Sequence, residues 1–325
     1  EDGLKLYLET YVNRKFDYDQ FTEHAENNGY NNKFVNVTPS LGRKTISPKI
    51  CKQNIFFYGG STTFGYNVTD HQTIASYLGK VLIKNNYKIC VKNFGRGSYF
   101  STQENILFQK HILNKKINSN DVIIFIDGIN EGGIKNSRNT AFLFETMKAI
   151  NQDYWDMYKY TFPIFFQSLS INQFIYRLKA KITANMKNNN LDQHRNRQGQ
   201  KNIFDFKNNM KEVYQKNVLF RKGICNELNL NCFSFLQPFA TQHGNYFNKP
   251  ISGAPETRIL NLNQHESLKK KYDILKDVEY IIDISNSLDL NKSLSYVDAV
   301  HYSPLANKAI ANKVYTVIKD VLYGK

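Results

Sequence analysis

Nowhere in the 325 residues does an uninterrupted apolar run approach 18 residues, so no segment is predicted to cross a bilayer as a helix. No signal peptide is visible. The expectation is an extracytoplasmic location, with a leader or anchor outside these residues. Cysteine is scarce: Cys51, Cys90, Cys225 and Cys232 match no zinc-binding spacing, and no metal is expected. Their even count leaves two alternatives open, two disulfides or buried free thiols. In a secreted protein Cys225 and Cys232, close in sequence across a helix-to-strand connection, are expected to pair. The basic residues form no stripe interleaved with stacking aromatics, so nucleic acid is not an expected partner. Net charge is nevertheless +15, carried by scattered lysines such as Lys187 beside Asn188, Asn189 and Asn190. Such a charge suits an acidic glycan or an anionic membrane face, the latter as peripheral association.

Hydrophobic residues make up 41% and aromatics 14%, enough to build a core without metals or disulfides. No internal repeat and no second core is visible. Residues 1–50 read as a polar, aromatic N-terminal arm with one helix near 4–14. The run Asn54-Ile55-Phe56-Phe57-Tyr58 stops at Gly59-Gly60, as a buried strand stopped by a turn would. Ile74, Tyr77, Leu78, Val81 and Leu82 then recur at helical spacing over 71–85. The alternation repeats: a strand at 87–93, a helix at 102–115, and a strand at 121–127 containing Val-Ile-Ile-Phe-Ile. Continuous apolar runs of that kind suit strands covered on both faces. Further pairs come as helix 207–228 with strand 232–236, and helix 263–278 with strand 280–284. Ser303 as cap, Pro304 at the first position and Gly324 beyond the end delimit a last helix. The expected fold is a three-layer α/β/α sandwich around a mostly parallel, doubly wound sheet, flavodoxin-like, in a domain spanning 51–325. Residues 134–206 read as a helical insertion or lid, and 239–262 as a long loop of functional type.

Ligands bind beyond the carboxyl ends of strands in such sheets. The first strand runs into Gly59-Gly60-Ser61-Thr62-Thr63-Phe64-Gly65, a tight turn that presents a serine hydroxyl at a helix start. The lysine of a phosphate loop is absent, and Thr63 breaks the Gly-x-Ser-x-Gly elbow. The second ends in Asn93-Phe94-Gly95-Arg96-Gly97-Ser98, a loop able to aim a backbone N–H. The third ends in Gly128-Ile129-Asn130-Glu131; the Asn130 amide suits an oxyanion donor, or an Asx-turn. Near the C-terminus, Asp298 and His301 stand three residues apart, close enough to share one turn. His24, His71, His111, His194, His243 and His265 read as surface or structural, His243 being the one best suited to line a pocket.

Together, in this order, these blocks resemble the SGNH (GDSL-like) hydrolase superfamily, and within it the subgroup whose first block reads GGSTTFG. The resemblance covers 54–130 and 280–323 well and the middle poorly. It implies Ser61 as nucleophile, His301 as general base and Asp298 as its orienting partner. The implied oxyanion hole combines the Ser61 N–H, a second-block N–H assigned to Ser98, and the Asn130 side chain. Two positions depart from the family pattern. Gly60 stands where Asp is frequent, and Ser98 stands at the second-block glycine, one residue after Gly97. The implied reaction is ester hydrolysis through an acyl-enzyme, without cofactor. The subgroup resembles proteins associated with bacterial surface polysaccharides, so the first expectation for substrate is a small O-acyl group on a glycan. A lipid or thioester substrate, an O-acyltransferase on the same site, and a non-catalytic glycan-binding scaffold are the alternatives.

Overall fold

The computed structural model describes residues 2–13, 16–26, 29–38, 42–131, 195–240, 272–288, 295–298 and 300–323, with Glu266, Lys269 and Lys270; for 195–209 it describes the backbone alone. The chain divides into two compact units, residues 132–209 and the remainder. The expected lid at 134–206 lies outside the described residues except for helix backbone from 195, as do His194, His243 and His265.

In the larger unit a seven-stranded sheet is built from β3 (Val37–Thr38), β4 (Gly42–Arg43), β5 (Gln53–Gly59), β6 (Ile89–Asn93), β7 (Val122–Asp127), β8 (Asn231–Leu236) and β9 (Ile282–Asp283). Their spatial order is β3-β4-β6-β5-β7-β8-β9, all parallel except the edge pair β3–β4. The five strands from β6 to β9 therefore run in the doubly wound order, with the direction of winding reversing at β5. Strand alternation explains the unbroken apolar runs. Ile55, Phe57, Ile124 and Ile126 face α3 (Ile74–Lys84) and α6 (Pro304–Ile318), while Phe56, Tyr58, Ile123 and Phe125 face α4 (Ser101–Leu113) and α5 (Arg195–Glu227). Both faces are covered, so neither half of the alternation is polar. This is the three-layer sandwich expected.

Helix ends obey local chemistry. Ser303 caps α6, accepting from the Ala306 N–H at 3.3 Å, with Pro304 in the first turn. The expected helix at 71–85 begins only at Ile74. Thr73 takes the cap position and accepts from the Ser76 N–H, while a 3₁₀ turn precedes it. Strand β9 is shorter than 280–284, and at the start of that range Tyr280 adopts φ +62, incompatible with extension. The N-terminal 50 residues hold more than one helix. A short α1 (Asp2–Tyr7) runs into a π turn, and then come a hairpin of β1 (Phe16–Asp19) and β2 (Glu23–Glu26) and the edge strands β3 and β4.

Of the alternatives left open for cysteine, the structure has disulfides: Cys51 with Cys90, and Cys225 with Cys232. The first ties the start of β5 to neighbouring β6; the second ties the end of α5 to β8.

Candidate active site

Ser61 opens α2 (Ser61–Phe64), a single turn placed immediately after β5, with only Gly60 between them. Its N–H belongs to the first turn, where backbone donors have no helical partner. The turn is held from three sides. The Thr62 hydroxyl donates to Gln237 Oε1 at 2.6 Å, and the Thr63 hydroxyl donates to the Ile126 carbonyl of β7. At its other end the buried Arg43 guanidinium donates to the carbonyls of Phe64, Gly65 and Val68 while its Nε meets Asp70 at 3.1 Å. Arg43 thus satisfies carbonyls that a one-turn helix cannot satisfy itself. Replacing it with alanine leaves Asp70 with an uncompensated buried charge. The Arg43→Ala variant is expected to lose about 3–5 kcal/mol in denaturant titration. A loss below about 1 kcal/mol would mean that Arg43 does not hold this turn.

His301 reaches the same turn from the loop before α6. Its Nε2 lies 2.9 Å from Ser61 Oγ, and its Nδ1 lies 2.8 and 3.0 Å from the two Asp298 oxygens. Asp298 is buried. Its Oδ1 accepts from the N–H groups of Val300 and His301, and its Oδ2 accepts from the Asn67 amide. Burial opposes the charge of Asp298, but the hydrogen bond and charge of His301 and the two backbone N–H groups outweigh it. The carboxyl is held below the usual carboxylate range. The Tyr66 ring stacks on the imidazole, planes 12° apart at 5.0 Å. With Asp298 accepting from Nδ1–H, the neutral ring presents Nε2 as an acceptor to the Ser61 hydroxyl. Such an arrangement can remove the proton from Ser61 Oγ as it attacks.

Asn130 comes two residues after Gly128, whose φ of +117 turns the chain sharply at the end of β7. Its amide Nδ2 donates to the Tyr99 carbonyl at 2.8 Å. A Cβ at residue 60 would lie 2.6 Å from that same Nδ2, which accounts for glycine at this position. The Asn130 amide therefore lies directly against the residue before Ser61. Its second N–H has no partner among the described residues. In the second-block loop the Gly97 N–H is already committed, donating to Glu26 Oε1 at 2.9 Å. The exposed Ser98 has φ +62, the left-handed region that favours glycine, and its N–H has no partner among the described residues. Ser61, Asp298 and His301 are thus in one hydrogen-bonded chain, Asn130 beside it, and Ser98 on the adjoining loop.

Behind Asn130 lies a buried charged group that no sequence pattern announces. Arg221 of α5 contacts Asp127 at 2.6 Å and Glu104 at 3.0 Å. Glu131 accepts from the Ser101 N–H and hydroxyl. Burial, then the charge of Asp127, pushes Glu131 up to about 7 and Glu104 well above the usual range. These groups fix the ends of β7 and α4 against each other. Among the other described histidines, His111 is buried against Tyr58 at 2.8 Å and held neutral, its pKa lowered to about 3 chiefly by burial. Its place is structural. A cavity of about 320 Å³ between α5 and the β8–β9 edge contains none of the expected site residues. No group of three or more metal-ligating side chains occurs among the described residues.

No protein-family model matches the chain, and no curated protein matches it. Among the solved structures that resemble it at low identity are the following three. An alpha/beta hydrolase enzyme from the metagenome of Lake Arreo, Spain, is 10% identical over 84% of this chain and 98% of its own, with a TM-score of 0.45. A member of the lipolytic protein G-D-S-L family from Veillonella parvula is 10% identical over 82% and 98%, with a TM-score of 0.44. A lipase/acylhydrolase from Enterococcus faecalis is 11% identical over 84% and 98%, with a TM-score of 0.42. At these TM-scores the likenesses decide nothing, and fold and site rest on their own strand order and distances.

Proposed function

We propose that this protein is a serine ester hydrolase of the SGNH type. The observation that supports it is the chain from Ser61 Oγ to His301 Nε2 at 2.9 Å and from His301 Nδ1 to Asp298 at 2.8 Å. In the proposed reaction His301 Nε2 takes the Ser61 proton as Oγ bonds to the ester carbonyl carbon. The carbonyl oxygen becomes an oxyanion, met by the Ser61 N–H, the Asn130 amide and the Ser98 N–H. Collapse breaks the bond to the alcohol oxygen, which receives the proton from His301. Water then loses a proton to His301, attacks the acyl carbon and releases the acid, restoring Ser61. No step draws on a cofactor. The substrate we assign is a small O-acyl group on a glycan, to which the basic net charge is suited when the glycan is acidic. A panel of acylated aryl esters and acylated oligosaccharides tests this. Short acyl chains are expected to turn over and long ones not. Preference for long-chain esters would replace the glycan by a lipid, and turnover that needs a sugar acceptor would make the protein a transferase.

Asn130 provides a separate check on the oxyanion assignment. Removing one preorganised donor costs roughly 10²–10³ in turnover, or about 3–4 kcal/mol of barrier. Because the charge appears only in the transition state, Asn130→Ala should lower kcat and leave KM nearly unchanged. A variant with lowered melting temperature and near-normal kcat would make Asn130 a bracket for the Tyr99 loop and nothing more.

A further inference from the structure

The hairpin β1–β2 grips the loop from Arg96 to Tyr99. Gly97 is held at both its polar atoms. Its N–H donates to Glu26 Oε1 at 2.9 Å, and its carbonyl accepts from His24 Nε2 at 2.8 Å. Tyr99 returns the contact, its hydroxyl donating to the His24 carbonyl at 2.5 Å. The His24 ring lies edge-on between Phe16 and Tyr99, so its rotamer is fixed by packing. Arg96 lies 3.6 Å from the Glu26 carboxylate, which is itself buried. Outside the loop, the Gln103 amide donates to the Thr22 carbonyl, and Lys110 pairs with Asp19. The hairpin is therefore stapled to α4 on one side and to the loop on the other.

This loop bears on both donors of the proposed oxyanion hole other than the Ser61 N–H. Ser98 lies inside it, and the Tyr99 carbonyl holds the Asn130 amide at 2.8 Å. Ser98 is in the left-handed region, a conformation a non-glycine residue keeps only where its surroundings impose it. Gly97 and Tyr99, its neighbours on each side, are the residues the hairpin grips. We infer that hairpin 16–26 is a strap that sets the oxyanion-binding loop, with Glu26 and His24 as positioning residues for the Ser98 N–H and the Asn130 amide. The inference rests on the serine-esterase reading of Ser61. Neither Glu26 nor His24 touches the reacting atoms; each acts through Gly97.

The experiment compares Glu26→Ala, Glu26→Gln and wild type on one short-chain aryl ester, with fluorophosphonate labelling of Ser61 in each. Glutamine retains an oxygen that accepts from the Gly97 N–H; alanine does not. Expected is a fall of about tenfold or more in kcat for Glu26→Ala, KM within about twofold, and recovery to within about threefold of wild type in Glu26→Gln. Equal kcat in all three, with wild type active and labelled, overturns the strap and leaves the esterase reading intact. Equal losses in alanine and glutamine variants overturn it too, since the charge of Glu26 would then matter and not its grip on Gly97. A wild type that neither turns over esters nor labels at Ser61 overturns both. Should Glu26→Ala not fold, Tyr99→Phe takes its place, removing the hydroxyl that binds the His24 carbonyl. A kcat loss of threefold or more at unchanged KM supports the strap, and an unchanged kcat overturns it.

Discussion

Alanine at Ser61 is expected to lower ester turnover about a million-fold, and alanine at His301 by nearly as much. The two effects should not add. Nucleophile and base act as one unit, and either alone is idle, so the double variant should sit at the floor of the singles. The 2.9 Å contact between Ser61 Oγ and His301 Nε2 is the reason to expect this. What survives is the modest rate that bound oxyanion donors give to water. Steady-state kinetics on an aryl ester measures it, and fluorophosphonate labelling adds a direct chemical reading. Labelling should be confined to Ser61 and absent from both variants. A Ser61→Ala protein that keeps its activity, or a label on another serine, would sink the mechanism. Melting temperature should move little, because Ser61 is half-buried at the start of a turn held by Thr62, Thr63 and Arg43.

The Asp298→Asn variant is expected to lose about 10⁴ in kcat, although the change removes only one charge and no volume. The carboxamide oxygen could still accept from the N–H groups of Val300 and His301. The carboxamide nitrogen, facing His301 Nδ1, would donate where Asp298 accepts. The imidazole would then place its proton on Nε2, pointing a donor at Ser61 Oγ. That is the wrong tautomer for a base. The substitution also separates orientation from stability. In wild type the ionised carboxylate is favoured by folding, since His301 and the two backbone donors hold its pKa below the usual range. That stabilisation is complete above about pH 4, the ordinary carboxylate range, and is lost as pH falls below it. The stability gap between wild type and Asp298→Asn should therefore be widest at neutral pH and close in acid. A gap independent of pH would mean that Asp298 carries no folded-state charge.

The sheet is legible in the sequence because its central strands are fully buried. Ile55 to Tyr58 and Val122 to Ile126 leave no polar residue to mask the run, and glycines mark where each stops. Ser61, Ser98 and Asn130 stand just past strand ends, and Asp298 and His301 stand just before a capped helix; no one of these positions marks a site by itself, and it is their joint order, with the resemblance it carries, that singles them out. The first hairpin is not legible, and its turn explains why. Phe21 and Glu23 adopt φ +70 and +72, so the turn carries no Asn-Gly or Gly-Gly signature. Strand β4 is two residues long, too short for any periodicity, yet it delivers Arg43 to the end of α2. Arg221, Glu104 and Asp127 are equally hidden. The partners of Arg221 lie more than 90 residues away in sequence, and nothing in a local window distinguishes a buried arginine from a surface one. Asn67 is visible as an asparagine just past the GGSTTFG block. Its left-handed backbone, φ +63, and its bond to Asp298 appear only in three dimensions.

Ser61 and His301 are 240 residues apart in sequence. A ribosome adding about 5–20 residues per second needs roughly 12–48 s to cross that interval. From residue 127 onward the strand that precedes Ser61 has both of its neighbours, β6 and β7, in the chain, while the proposed base is still to come. On the proposed mechanism a nascent chain is thus chemically silent until His301, just ahead of the last helix, has been added. On the same mechanism, a chain stopped before residue 301 would carry Ser61 without its base and would attack no ester.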